Sequence, residues 1–163
     1  MAIKAILACD ENWGIGKAGT LPWPHNTADL KWFKQMTTGN TVVMGRKTWD
    51  SLPVKPLPNR KNIVVSSNRV EGADITIGNI NGPVRFSTIV IPMLKPVGDI
   101  WIIGGATLIE SCMDMIDEFW LNHVQGNYNC DVFLPRELIM AQFVQADGEQ
   151  TNTDLNITRW IRK

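Results

Sequence analysis

The sequence predicts an α/β fold. A single domain spanning residues 1–163 is expected, with a mixed, mainly parallel central sheet of about eight strands flanked by helices. Two observations carry this. Through the first two thirds, short β-type runs alternate with helical patterns, as in sheets whose parallel strands are joined by helical crossovers. The C-terminal third then turns into strands joined by turns without a convincing helix, which points to antiparallel strands at one edge.

The elements follow in order. Strands are predicted at Ala2 to Cys9, Thr41 to Met44, Asn62 to Ser66, Asp74 to Ile77 and Asp99 to Ile103, each a short apolar or β-branched run bounded by turn residues. Helices are predicted at Thr27 to Thr38, Lys47 to Leu52 and Ala106 to Met113. Another candidate, Val84 to Ile91, is β-branched and stops at Pro92. Glu118 to Val124, Gln142 to Gln150 and Leu155 to Arg162 are the C-terminal strands. Two segments read as loops: Asp10 to Pro24, which is rich in glycine and carries Trp13 and Trp23, and Pro53 to Pro58, whose three prolines favour an extended, stiff path.

One residue of the first helix is out of pattern. At about 100° per residue, Trp32, Phe33 and Met36 fall within roughly 60° of Asp29, so a carboxylate stands in the middle of the apolar stripe. Burying an unpaired carboxylate is costly. Two readings are open: an acid of the first turn, favoured by the helix dipole behind a Thr27 N-cap and reaching solvent, or a carboxylate kept for a ligand with donors or positive charge.

Composition narrows the function. With 44% apolar and 20% charged residues the chain is an ordinary soluble globular protein. Sixteen basic residues balance sixteen acidic ones and no Lys/Arg run exceeds two, so nucleic acid and anionic membranes are not expected partners. Cys9, Cys112 and Cys130 are odd in number and widely spaced, with no CxxC; they read as small buried hydrophobes, and no metal is expected. The N-terminal apolar run is short and broken by Lys4, unlike a signal peptide, and no run is long enough to span a membrane, so a reducing cytoplasm is expected.

Three junctions resemble anion sites. In "TVVMGRKTWDSL" an apolar strand passes through Gly45 into Arg46, Lys47 and Thr48 at the start of a helix, where backbone N–H groups and two cations suit a phosphate. A glycine turn with two solvated cations is the alternative. Ser66 and Ser67 end another strand as hydroxyl donors or as turn formers. In "DIWIIGGATLIES" the Gly104-Gly105 pair allows close backbone approach, or merely a tight connection. All three fall at the carboxyl ends of parallel strands, the ligand-binding edge of open α/β sheets.

Hydrolytic chemistry lacks its parts. The sequence contains no GxSxG, HExxH or Walker A motif; His25 lies in a loop, and His123 alternates with apolar neighbours like a structural histidine. One sheltered acid, a dinucleotide-like phosphate rim and an aromatic loop suit hydride transfer, where the cofactor supplies the reactive atom.

Six stretches, "WGIGKAGTLPW", "ADLKWFKQMT", "VVMGRKTWDSL", "PLPNRKNIVVSS", "IWIIGGATLIE" and "CDVFLP", resemble the dihydrofolate reductase family in order and spacing over essentially the whole chain. The resemblance implies NADPH-dependent reduction of dihydrofolate by a monomer, with antifolates as inhibitors and Asp29 as the active-site carboxylate. It places Leu21 and Trp23 beside the reacting rings. Ile6, Leu30, Phe33, Thr48, Leu52, Leu57, Ile103 and Asn122 would line the substrate pocket, and Arg60 would bind the glutamate carboxylate of folate. For the coenzyme it implies Ala8, Ile15, Gly16, Gly19, Thr20 and Leu21, then Gly45, Arg46, Lys47 and Thr48, Ser66 and Ser67, and Ile103, Gly104, Gly105, Ala106, Thr107 and Leu108. A cis peptide is implied between the two glycines. Ala106 and Thr107 depart from the family pattern, as do Ile109, where an aromatic is frequent, and Asn122, where a threonine usually bonds the acid. Two rival readings are a related NADPH reductase acting on another heterocycle, such as a riboflavin precursor, and a nucleotide-binding module without catalysis.

Overall fold

Strand β1 (Ile3–Cys9) runs through the middle of the sheet because both of its faces are apolar. Ala5, Leu7 and Cys9 are buried on one side and Ile6 on the other. The structure, a computed structural model, describes residues 2–17, 22–23, 27–78, 95–146, 150–151 and 155–163. After β1 come β2 (Gly14–Gly16), α1 (Thr27–Thr37), β3 (Thr41–Gly45), α2 (Arg46–Ser51), β4 (Lys61–Val65), β5 (Ile75–Ile77) and β6 (Ile100–Ile102). The chain continues through α3 (Ala106–Cys112), a 3-10 turn (Met113–Met115), β7 (Glu118–His123), β8 (Val132–Phe133), α4 (Arg136–Gln142), β9 (Phe143–Gln145), β10 (Gln150–Thr151) and β11 (Asn156–Arg162).

The main sheet has the order β10-β11-β7-β1-β6-β3-β4-β5, with β9 also pairing β11. From β7 to β5 every pair is parallel, whereas β9, β10 and β7 each run antiparallel to β11. This is the mixed sheet that the sequence predicts. Alternation divides the core between the two faces. Ala5, Leu7, Val43, Ile63, Ile100 and Ile102 pack with Leu108 and Ile109 of α3 and Ile139 of α4. Ile6, Val42, Met44, Val64 and Trp101 pack with Trp32 of α1. Parallel pairing also brings the carboxyl ends of β1, β3, β4, β6 and β7 to one rim.

The C-terminal third departs from expectation. Arg136–Gln142 is helical where the sequence shows no convincing helix; of the strand expected over Gln142 to Gln150, Gln142 ends that helix, Phe143–Gln145 and Gln150 are strand, and 147–149 lie outside the described residues. Leu138, Ile139 and Met140 are consecutive apolar residues, a strand-like pattern, yet only Ile139 is buried and its neighbours face outward. Part of the predicted loop Asp10 to Pro24 is the short strand β2, which pairs antiparallel with β8 and whose glycines hide its β character. The predicted helix Val84 to Ile91 lies outside the described residues, as do Gly19, Thr20, Leu21 and His25. No helix among the described residues is long and apolar enough to cross a membrane.

Asn62 secures the loop before β4. Its fully buried carboxamide accepts the Leu57 N–H at 2.9 Å and donates to the carbonyls of Leu57 at 3.0 Å and Arg60 at 2.9 Å. Asn62→Ala removes all three bonds and leaves buried backbone groups unpaired, so it is expected to lower unfolding free energy by about 2–4 kcal/mol, measured by urea denaturation. A loss below about 1 kcal/mol would show that the loop is held by other contacts.

Candidate active site

Helix α1 turns its Trp32 face onto the sheet, and the same rotation carries Asp29 inward. Its carboxylate is half-buried and accepts a hydrogen bond on Oδ1 from Asn122 Nδ2 at 3.0 Å. Asn122, almost fully buried on β7, accepts the Asn156 N–H of β11 on its own Oδ1 at 3.1 Å. That second bond fixes the amide: its oxygen must face Asn156, so its nitrogen faces Asp29. Burial pushes the Asp29 pKa up and the Asn122 bond pulls it back, with burial the larger effect. Asp29 is therefore no solvent-facing first-turn acid, and Asn122 is a donor to it.

Apolar side chains surround the acid's side of the sheet. Ile6 is buried in the α1-side core, and Phe33, Leu52, Leu57 and Ile103 pack against it as partly buried residues. Ala8 stands beside Asn122 in the β1–β7 register. Leu30 is not gathered into this core: it is 46% exposed, about one quarter-turn of the helix away from Asp29. Arg60 sits at the far end of α1, where Nη1 donates to Thr37 Oγ1 at 3.0 Å and Nε to the Pro58 carbonyl at 2.9 Å. Its guanidinium carbon lies 5.8 Å from the centre of the Phe33 ring, and partial burial lowers its pKa. Trp23 is buried and packs edge-on against Tyr128 with ring centres 5.9 Å apart.

The glycine junctions meet at the strand-end rim. Gly45 donates its N–H to the Gly104 carbonyl at 2.9 Å, joining the ends of β3 and β6, and the Gly104-Gly105 peptide is cis. Gly104 has φ of +126°, and a Cβ there would meet Thr48 Oγ1 at 3.4 Å, so glycine keeps a cradle open between α2 and α3. Both helices begin immediately after these glycines, at Arg46 and Ala106, with no side-chain cap bond. Helix starts leave first-turn N–H groups without intrahelical partners, and Thr48 Oγ1 lies beside Gly104. Leu108 and Ile109 point into the core instead.

Arg46 and Lys47 are exposed at the same rim, Arg46 bridging to Asp50 at 3.2 Å. Ser66 and Ser67 line an adjoining open cavity of about 360 Å³ with Asn68, Arg69 and Thr76. Ser66 also acts as a turn former, since its Oγ accepts the Asn68 N–H at 3.3 Å. Ile15 and Gly16 lie on β2. A pyrophosphate and a further phosphate match this donor set: uncapped helix starts, hydroxyls and cations along one rim. His123 is a structural residue, with Nε2 2.7 Å from Thr158 Oγ1 and Nδ1 3.6 Å from Cys9 Sγ.

The sequence reading missed Asp10. It is wholly buried just past β1, and four donors reach its carboxylate. The signal for it was slight: an Asp-Glu-Asn run after an apolar strand marks a turn in which aspartate accepts the N–H two residues on.

Known proteins agree with this geometry. The family model for dihydrofolate reductase matches residues 2–159. A dihydrofolate reductase of Staphylococcus aureus is 37% identical over 160 aligned residues, covering 94% of this chain and 92% of the relative. One of Buchnera aphidicola is 34% identical over 139 residues, covering 83% and 80%. Among solved structures, dihydrofolate reductase from Enterococcus faecalis complexed with NADP(H) and RAB-propyl superposes with a TM-score of 0.79 at 29% identity, over 99% of this chain and 96% of that one. A family model over residues 2–159 and relatives aligned over nearly the whole chain settle the kinship: the chain belongs to the dihydrofolate reductase family.

Proposed function

We propose that Asp29 is the active-site carboxylate in the NADPH-dependent reduction of 7,8-dihydrofolate to 5,6,7,8-tetrahydrofolate, the reaction of the family to which the chain belongs. The Asp29–Asn122 bond carries this reading. An acid on the inner face of α1, oriented by an amide that can only donate toward it, is poised for a ligand edge with two donors.

NADPH, when bound, supplies the hydride. The chain's residues do the rest. Gly45, Thr48, Gly104, Gly105, Ala106 and Thr107 would hold the pyrophosphate, and Arg46, Lys47, Ser66 and Ser67 the adenosine phosphates, with the cation pair favouring a 2′-phosphorylated coenzyme. Ile15, Gly16 and Trp23 border the ring side. Ile6, Phe33, Leu52, Leu57 and Ile103 exclude water from the pterin, which strengthens the field of Asp29. Arg60, held by Thr37 and Pro58, meets the glutamate carboxylate. Asp29 keeps its proton to higher pH than an ordinary carboxyl and polarises the solvent that protonates the ring nitrogen. We place the reaction in a monomer in the cytoplasm, where the three free thiols stay reduced.

Purified Asp29→Asn is expected to fold and to lose about 10²–10³-fold in turnover at pH 7, followed as NADPH absorbance with dihydrofolate, with partial recovery at acid pH where the substrate arrives protonated. Undiminished turnover at pH 7 would refute the assignment. The same variant has a stability signature. Because the folded state raises the Asp29 pKa, it binds that proton more tightly than the unfolded chain does; this contribution is complete below the unfolded value of about 3.9 and is lost as pH rises through the displaced value. Asp29→Asn should therefore melt above the wild type at pH 7, with the difference closing in acid; a melting point below the wild type at pH 7 would contradict this. Arg60→Lys cannot reproduce the forked contact and should raise KM for dihydrofolate about tenfold while kcat stays within about twofold.

A further inference from the structure

Asp10 belongs to none of the groups assigned above, yet its carboxylate joins two segments. Oδ1 accepts the N–H of Asn12 at 2.9 Å and of Gly14 at 2.8 Å, both leading into β2. Oδ2 accepts the N–H of Tyr128 at 3.2 Å and the Cys130 thiol at 3.4 Å, both leading into β8. Further backbone bonds run alongside: Glu11 N–H to the Gly126 carbonyl at 3.1 Å, Asp131 N–H to Gly16 at 2.9 Å and Leu134 N–H to Trp13 at 2.9 Å. The approach is so close that a Cβ on Gly14 would lie 2.4 Å from Cys130 Cβ, which only glycine permits.

We propose that Asp10 is a positioning residue for the reaction: its two oxygens clasp the 12–14 segment to the 128–130 segment and so fix Ile15 and Gly16 on one side and Trp23, through Tyr128, on the other. The geometry gives each oxygen its own pair. One half of the clasp leads within two residues to Ile15 and Gly16, which the proposed function puts beside the coenzyme. The other holds the backbone of Tyr128, whose ring is the edge-on partner of buried Trp23. A wholly buried carboxylate is tolerated only when donors replace its water, and here three peptide N–H groups and one thiol do so. Burial alone would push its pKa up; the N–H groups of Gly14, Tyr128 and Asn12 and the Cys130 thiol together hold it below the ordinary carboxylate range, so the clasp is charged at neutral pH.

The inference rests on the reductase reading but is tested apart from it. Asp10→Asn keeps the volume and turns one acceptor oxygen into a donor; the shorter bonds on Oδ1 hold the amide oxygen there, so the NH2 group opposes Tyr128 and Cys130. With 5-fluorotryptophan incorporated, the Trp23 fluorine resonance is expected to shift or broaden in Asp10→Asn, NADPH affinity and kcat to fall about tenfold, and KM for dihydrofolate to stay within about twofold. Cys130→Ala should show the same pattern more weakly, and Cys130→Ser should restore it, because a hydroxyl donates in place of the thiol. A folded Asp10→Asn with wild-type Trp23 resonance, NADPH affinity and kcat would overturn the proposal. If Asp10→Asn does not fold, the cysteine pair decides: a Cys130→Ala protein indistinguishable from wild type, or a Cys130→Ser protein as impaired as Cys130→Ala, would overturn it. Turnover of the wild type tests the reductase reading, whereas fluorine shifts and NADPH binding report on the clasp without turnover.

Discussion

Parallel pairing at the centre of the sheet is the constraint from which the rest follows. Because β1, β3, β4, β6 and β7 point the same way, their carboxyl ends share one rim, and every exit from the sheet there must turn within a few residues. Glycine meets that demand at 104, where φ is +126°, and the ends of β3 and β6 touch through the Gly45–Gly104 hydrogen bond. The helices that start there leave their first N–H groups without intrahelical partners. The cradle proposed for the coenzyme phosphates is thus a by-product of strand direction and short exits, with cations and hydroxyls from α2 and the end of β4 beside it.

Two acids near this rim are compensated differently. Asp29, half-buried, accepts from Asn122, and burial prevails, so its proton affinity rises. Asp10 accepts from three peptide N–H groups and a thiol, which together outweigh its burial, and its proton affinity falls. The acid with the raised pKa suits proton chemistry, whereas the acid held ionised suits structure.

The amino ends of the central strands are braced by charge. Lys4 lies within 3.4 Å of both Asp99 and Glu118, Glu118 is also paired with Arg159, and the two cations stand over the rings of Trp101 and Trp120. These contacts tie the amino ends of β1, β6 and β7 to the last strand, β11. Asn62 braces by hydrogen bonds instead, since holding Leu57 and Arg60 to β4 keeps the loop that carries them against α1.

The α/β class, the inner strands, α1, α2 and α3, the misplaced acid and the glycine junctions were all present in local pattern, because each depends on periodicity or on residues with unusual backbone freedom. The helix Arg136–Gln142 was hidden because tertiary packing buries only Ile139 of three consecutive apolar residues, and β2 because its pairing partner lies more than a hundred residues away. Asp29 illustrates the division most clearly. Its position on the apolar stripe is a property of the sequence; its partner Asn122, 93 residues on, exists only once β7 lies beside β1 and β11 pins the amide. Asp10 goes further, since nothing local distinguishes a turn aspartate from a four-donor clasp. Short-range geometry is written in neighbouring residues, but the balance between desolvation and hydrogen bonding that sets a carboxylate's charge is decided by whichever distant donors folding brings to it.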